Sequence, residues 1–199
     1  MAPIWYHGGA SSRLVHDDHR WDRERFTSSL NEEGPGIYFT SKYEQAKGYG
    51  DVVVQTVLPA SFRVLKTSVK PSLRRLLQLY RSAPEERQAD FLADWNTDDP
   101  TVALKPYIHQ DSLHGALVTL YGDLFHYDAA AWVEAVRDLG FDGTIVPKSY
   151  GVRHLVVWNP SALGDVQEAA EPDEDHRPSV VRRKRNARST TDLARRLAR

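Results

Sequence analysis

Cysteine is absent from this chain. Disulfides, thiolate nucleophiles and cysteine-ligated zinc are therefore excluded from its chemistry. Long apolar runs are missing as well, and nothing approaches the roughly 20 residues that a membrane-spanning helix needs. The opening Met-Ala-Pro-Ile-Trp-Tyr has no basic segment leading into an apolar one, so no signal peptide is expected and a cytoplasmic location is. A net excess of charge is lacking too, the formal total being -1. What is present suits a folded domain: 41% hydrophobic residues can fill a core, and 27% charged residues can cover it. A length of 199 residues fits one domain and an appendage.

The near-zero total conceals segregation. Glu168, Glu171, Asp173, Glu174 and Asp175 form an acidic stretch, and Arg177, Arg182, Arg183, Lys184, Arg185, Arg188, Arg195, Arg196 and Arg199 follow with few core-forming residues. This composition predicts a domain over 1–165 and a disordered acidic-then-basic tail over 166–199. Arg182, Arg183, Lys184 and Arg185 place four cations within reach of adjacent phosphates, which points to nucleic-acid contact.

Within the domain the pattern is strands early, helices in the middle and strands late, an α+β arrangement with a helical insertion. Ile4-Trp-Tyr-His7 reads as a short strand that Gly8-Gly9 lets the backbone leave steeply. Residues 10–33 show no period; His16, Asp17, Asp18 and His19 are too close together to converge on one metal ion and read as a solvated loop. Gly34-Pro-Gly36 predicts a turn, Ile37-Tyr-Phe39 a strand, and Ser41 with Glu44 the capping box of a short helix ending at Gly48. Asp51–Leu58 is a buried strand by its β-branched run, and Arg63-Val-Leu65 an edge strand.

From Lys70 to Leu139 the period turns helical. Leu73, Leu76, Leu77 and Tyr80 share a face, and Ser82 with Glu85 suggests another capped start. Ser112 and Asp128 are expected to cap the last two helices, with Gly140 closing the second. Thr144-Ile-Val146 and Arg153-His-Leu-Val-Val-Trp158 complete the strands.

Three stretches carry the functional signal: Trp5-Tyr6-His7-Gly8-Gly9, Gly36-Ile-Tyr-Phe-Thr40 continuing to Tyr49, and His154-Leu-Val-Val-Trp-Asn-Pro160. In this order, from about Ile4 to Leu163, they resemble the His-Tyr-Glu branch of the ADP-ribosyltransferases. That branch holds diphtheria-type toxins, poly(ADP-ribose) polymerases and small phage or bacterial members. The resemblance implies a split β-sheet core, NAD+ as co-substrate, and mono-ADP-ribosyl transfer to a protein or nucleic acid. It implies that His7 holds the adenosine ribose, that Gly8 presents its backbone to the carboxamide, and that Tyr38 and Tyr49 flank the nicotinamide. A flat cationic ring between two aromatic faces is physically reasonable.

The departure is at the third position. Relatives carry a glutamate there, which opposes the positive charge of the transition state; here His154 stands in its place. An imidazole can accept a hydrogen bond or act as a general base, but in neutral form it brings no negative charge. Either His154 is the base, or the substrate supplies the carboxylate, or the domain binds NAD+ or nucleic acid without turnover. Asp142 and Glu44 are candidate carboxylates that sequence alone does not place. The resemblance further predicts Tyr38 and Tyr49 on one cleft with His7 and His154 on its walls; if His7 and Tyr38 point to opposite sides of the sheet, or lie far beyond a dinucleotide's reach of each other, the family reading fails.

Overall fold

A computed structural model describes residues 2–9 and 33–171. The expectations for His16–His19 and for the basic cluster at Arg182–Arg185 lie outside the described residues. Strands β1 (Ile4–Gly9), β2 (Ile37–Thr40), β3 (Val52–Val57) and β4 (Val64–Lys66) come first, with the short helix α1 (Tyr43–Lys47) between β2 and β3. The helical insertion runs through α2 (Leu73–Ser82), α3 (Glu85–Asp94), α4 (Pro100–Ala103), α5 (Lys105–Ile108), α6 (Leu113–Asp123) and α7 (Ala129–Asp138). Strands β5 (Gly143–Pro147), β6 (Arg153–Val157) and β7 (Gln167–Glu168) close the described chain. The fold is α+β, with a seven-stranded open sheet ordered β4-β5-β6-β2-β1-β3-β7 among the described residues. Only β4 and β5 run parallel there; the other neighbours are antiparallel.

Register decides what shares a face. Thr40 pairs with both Tyr6 and His154, and Tyr38 pairs with Val156. Side chains alternate along a strand, so Tyr6, Tyr38, Thr40, His154 and Val156 lie on one face, and Trp5, His7, Phe39, Leu155 and Val157 on the other. Helix α1 covers the first face: Tyr43 meets the Tyr6 ring edge-on, and a Cβ on Gly8 would stand 1.7 Å from the Ala46 carbonyl oxygen. Glycine at 8 is thus required for α1 to lie against β1.

The pairing of β1 is unequal on its two sides. It runs with β3 at every residue from Ile4 to Gly9, but its register with β2 is the single pair Tyr6–Thr40. Beyond that pair the two strands share no further register among the described residues.

The insertion clamps the turn before β2. Trp158, fully buried, stacks on His114 at 6.4 Å and meets Trp132 edge-on at 5.8 Å. Its indole N–H donates to the Pro35 carbonyl at 3.1 Å, and Trp132 donates to Leu117 at 2.8 Å. Gly34, at φ +82°, fits beneath Trp132 and Val118, where a Cβ would come within 3.3 Å of each. Ser112 and Asp128 cap α6 and α7 as their sequence pattern predicts, accepting from Gly115 and Ala131.

Two expected caps do not form. Ser41 makes no cap for α1 because its hydroxyl accepts the Arg153 N–H from the neighbouring strand at 3.0 Å. Ser82 ends α2, donating to the Gln78 carbonyl, and Pro84 begins α3 instead. The ordered sheet also passes the predicted tail boundary at 166. Val166 is buried, and β7 adds to the edge of β3 at Val54 and Gln55. An edge strand pairs through its backbone, which composition does not register.

Candidate active site

Glu33 immediately precedes the clamped turn. His114 donates its Nε2–H to the Glu33 carbonyl at 3.2 Å, and the Glu33 side chain is turned inward with 6% of its surface exposed. There it meets two partners. Lys148, just after β5, pairs with Oε1. His154, at the start of β6, places Nδ1 3.1 Å from Oε1 and 3.2 Å from Oε2.

The chain of hydrogen bonds continues through His154. Its other nitrogen, Nε2, lies 3.2 Å from the Gln45 amide nitrogen, and the Gln45 amide oxygen accepts from the Thr40 hydroxyl. Thr40 in turn accepts the Lys42 backbone N–H at 3.3 Å. Each direction follows from the one before. With the Thr40 proton committed to Gln45 Oε1, the Gln45 N–H points at His154 Nε2, which therefore offers a lone pair, and the imidazole proton sits on Nδ1 facing Glu33. A carboxylate on one nitrogen of a histidine fixes its tautomer and leaves the other nitrogen as a base.

Tyr38 stands beside this array on the same face, its ring 6.5 Å from that of His154 and nearly perpendicular at 82°. Its hydroxyl donates to the Gly34 carbonyl, folding the ring over its own turn.

His7 is placed differently from the expectation. Its ring belongs to the face opposite Tyr38 and lies 5.5 Å from Phe39. It reaches Tyr38 through the backbone, with Nδ1 2.6 Å from the Tyr38 carbonyl oxygen. Through that bond the imidazole ties β1 to β2 beyond their single register pair. Its Nε2 has no partner among the described residues. Burial lowers the His7 pKa, and the bond to Tyr38 opposes that effect, so the ring favours its neutral form.

Tyr49 follows α1 on the surface with 69% of its area exposed. Two alternating strand faces and a helix end are not brought to one wall by spacing in sequence alone. The structure thus brings Tyr38 and His154 together on one face, sets His7 on the opposite face, which is the arrangement that tells against the resemblance, and leaves Tyr49 exposed.

The two carboxylates suggested by sequence serve elsewhere. Glu44 is exposed on α1. Asp142 is buried, and it accepts the Arg63 guanidinium through Nε and Nη2 at 3.0 Å, the Arg63 backbone N–H at 2.8 Å and the Asn159 amide at 2.8 Å. Burial pushes the Asp142 pKa up, but these bonds outweigh it and bring it down to about 2. It is a structural staple between the β4 and β6 ends.

Glu33 itself was not singled out in sequence. It sits at the end of an aperiodic segment, and only the register that sets Thr40 opposite His154 reveals that the preceding turn delivers it there. The available signal was its position, directly before Gly34-Pro-Gly36.

Comparison with protein-family models, curated proteins and solved structures finds no match.

Proposed function

We propose that the domain is a mono-ADP-ribosyltransferase that uses NAD+, with His154 as general base and Glu33 as the carboxylate that orients it. The observation that carries this reading is the Glu33–His154 contact. The site that resembles the family's glutamate position holds a histidine, and a buried carboxylate is attached to that histidine. NAD+ supplies a ribose carbon activated by a positively charged leaving group. His7 Nε2 is suited to a ribose hydroxyl, and the edge of Gly8 to the carboxamide. The Tyr38 ring, next to His154, is the aromatic surface for the nicotinamide.

Lys148 shapes the electrostatics. It neutralises Glu33, so the cluster carries no net charge while His154 is neutral. Glu33 therefore does not act as a bare negative charge opposite an oxocarbenium ion. It makes His154 the proton acceptor and stabilises the imidazolium that results. General base catalysis of this kind contributes about 10²- to 10⁴-fold.

A second reading has its own support. His7 and Tyr38 lie on opposite faces, and Gln45 occupies the lone pair of His154. The second favours a module that binds NAD+ or ADP-ribose without turning it over; the first tells against one dinucleotide engaging both side chains. Incubation with NAD+ labelled in the adenylate, together with cell lysate, separates the two. The transferase attaches label to protein or nucleic acid and releases nicotinamide. Saturable NAD+ binding with neither event supports the binding module.

A further inference from the structure

Gln45 occupies the position from which a nucleophile would approach His154. Its amide N–H stands 3.2 Å from Nε2, the geometry an attacking O–H or N–H needs in order to surrender its proton. Nδ1 is committed to Glu33 and Glu33 to Lys148, so among the described residues the function an incoming group can take over is the acceptor lone pair that Gln45 now holds.

We infer that the acceptor is a neutral nucleophile bearing a proton on its attacking atom, such as a hydroxyl, and that carboxylates are excluded; this rests on the transferase reading. A hydroxyl that displaces the Gln45 amide reproduces its hydrogen bond to Nε2. Its oxygen lone pair then forms the bond to the ribose carbon. The bond to nicotinamide breaks, nicotinamide leaves with that electron pair, and the hydroxyl proton passes to Nε2. A carboxylate brings no proton, so it would set lone pair against lone pair and leave Nε2 without a donor. Thr40, donating to Gln45 Oε1, holds the amide with its N–H toward the histidine, which assigns Nε2 as the acceptor.

Two measurements test this. The first needs no turnover: long-range ¹H–¹⁵N spectra of the full chain at neutral pH report the His154 tautomer. The expected result is a protonated Nδ1 and an unprotonated Nε2, with the assignment lost in Glu33→Gln. A proton on Nε2 in the unmodified chain overturns the inference. The second runs NAD+ consumption with methanol or with acetate at equal concentration and analyses the products by mass spectrometry. Methyl-ADP-ribose without the acetyl ester is expected. An acetyl ester formed as readily as the methyl product overturns the acceptor class and leaves the transferase standing. Absence of nicotinamide release in every arm overturns the transferase, and the inference with it.

Discussion

At the scale of single residues, the site depends on which atoms already have partners. His154 uses one nitrogen for Glu33 and the other for Gln45, whereas His7 uses one for the Tyr38 carbonyl and has no partner for the other among the described residues. These roles predict different kinetics. His7→Ala removes a binding contact and is expected to raise KM for NAD+ with a smaller effect on kcat; His154→Ala is expected to lower kcat with KM nearly unchanged. The reverse pattern would exchange the two assignments. Substituting His154 by Glu sets two carboxylates against Lys148, so the single variant is expected to be poor. Pairing it with Glu33→Gln restores one negative charge, and NAD+ hydrolysis by the double variant is expected to exceed that of His154→Glu alone. Of these contacts, the chain itself pointed to His7, Tyr38 and His154. It did not reveal Glu33 or Gln45, because their importance arises from strand register and a helix lying across the sheet.

Asp142 predicts an acid transition of a different kind. Its carboxyl falls from an ordinary 3.8 to about 2 on folding. A depressed carboxyl pKa stabilises the fold fully above the unfolded value, and that contribution is lost as pH falls through the folded one. The shift corresponds to about 2 kcal/mol. Thermal unfolding followed between pH 5 and pH 2 is expected to show stability falling from about pH 4 downward. Asp142→Asn is expected to flatten that fall; an unchanged profile would remove the staple from the account.

At the scale of elements, the helical insertion acts on the sheet through the 33–36 turn. Trp158 holds Pro35, His114 holds the Glu33 carbonyl, and Trp132 covers Gly34. Trp158→Ala is expected to cost about 3–5 kcal/mol in denaturant unfolding, as other buried aromatic truncations do. His114→Ala is expected to loosen Glu33 and lower kcat more than it raises KM. Burial lowers the His114 pKa, with the Glu33 carbonyl opposing, so its neutral form contributes stability above about pH 6.5 that is lost as pH falls. Most of these elements were legible in the sequence. The β-branched run of β3, the aspartate and serine caps of α6 and α7, and the glycine stop at Gly140 all formed where their local chemistry places them. The failures were long-range: Arg153 claimed Ser41, and β7 joined an edge that only the folded sheet creates.

At the scale of the whole molecule, the basic cluster Arg182–Arg185 predicts weak binding to duplex DNA independent of sequence. Neutralising about five phosphates gives a log–log salt slope of about -4.5. Replacing Arg182, Arg183, Lys184 and Arg185 by glutamine in the full chain is expected to weaken binding and flatten that slope. Equal affinity would leave the cluster without this role. The central claim concerns the other end of the molecule's chemistry, where a buried glutamate makes a histidine into a base. It is tested most directly by the pH dependence of kcat for nicotinamide release, measured for the unmodified chain and for Glu33→Gln. The account predicts that Glu33→Gln lowers kcat by about 10²-fold or more, leaves KM for NAD+ nearly unchanged, and shifts the acidic limb of the profile, where a general base must be free of its proton to act. Equal kcat and an unshifted profile in the two proteins would contradict it.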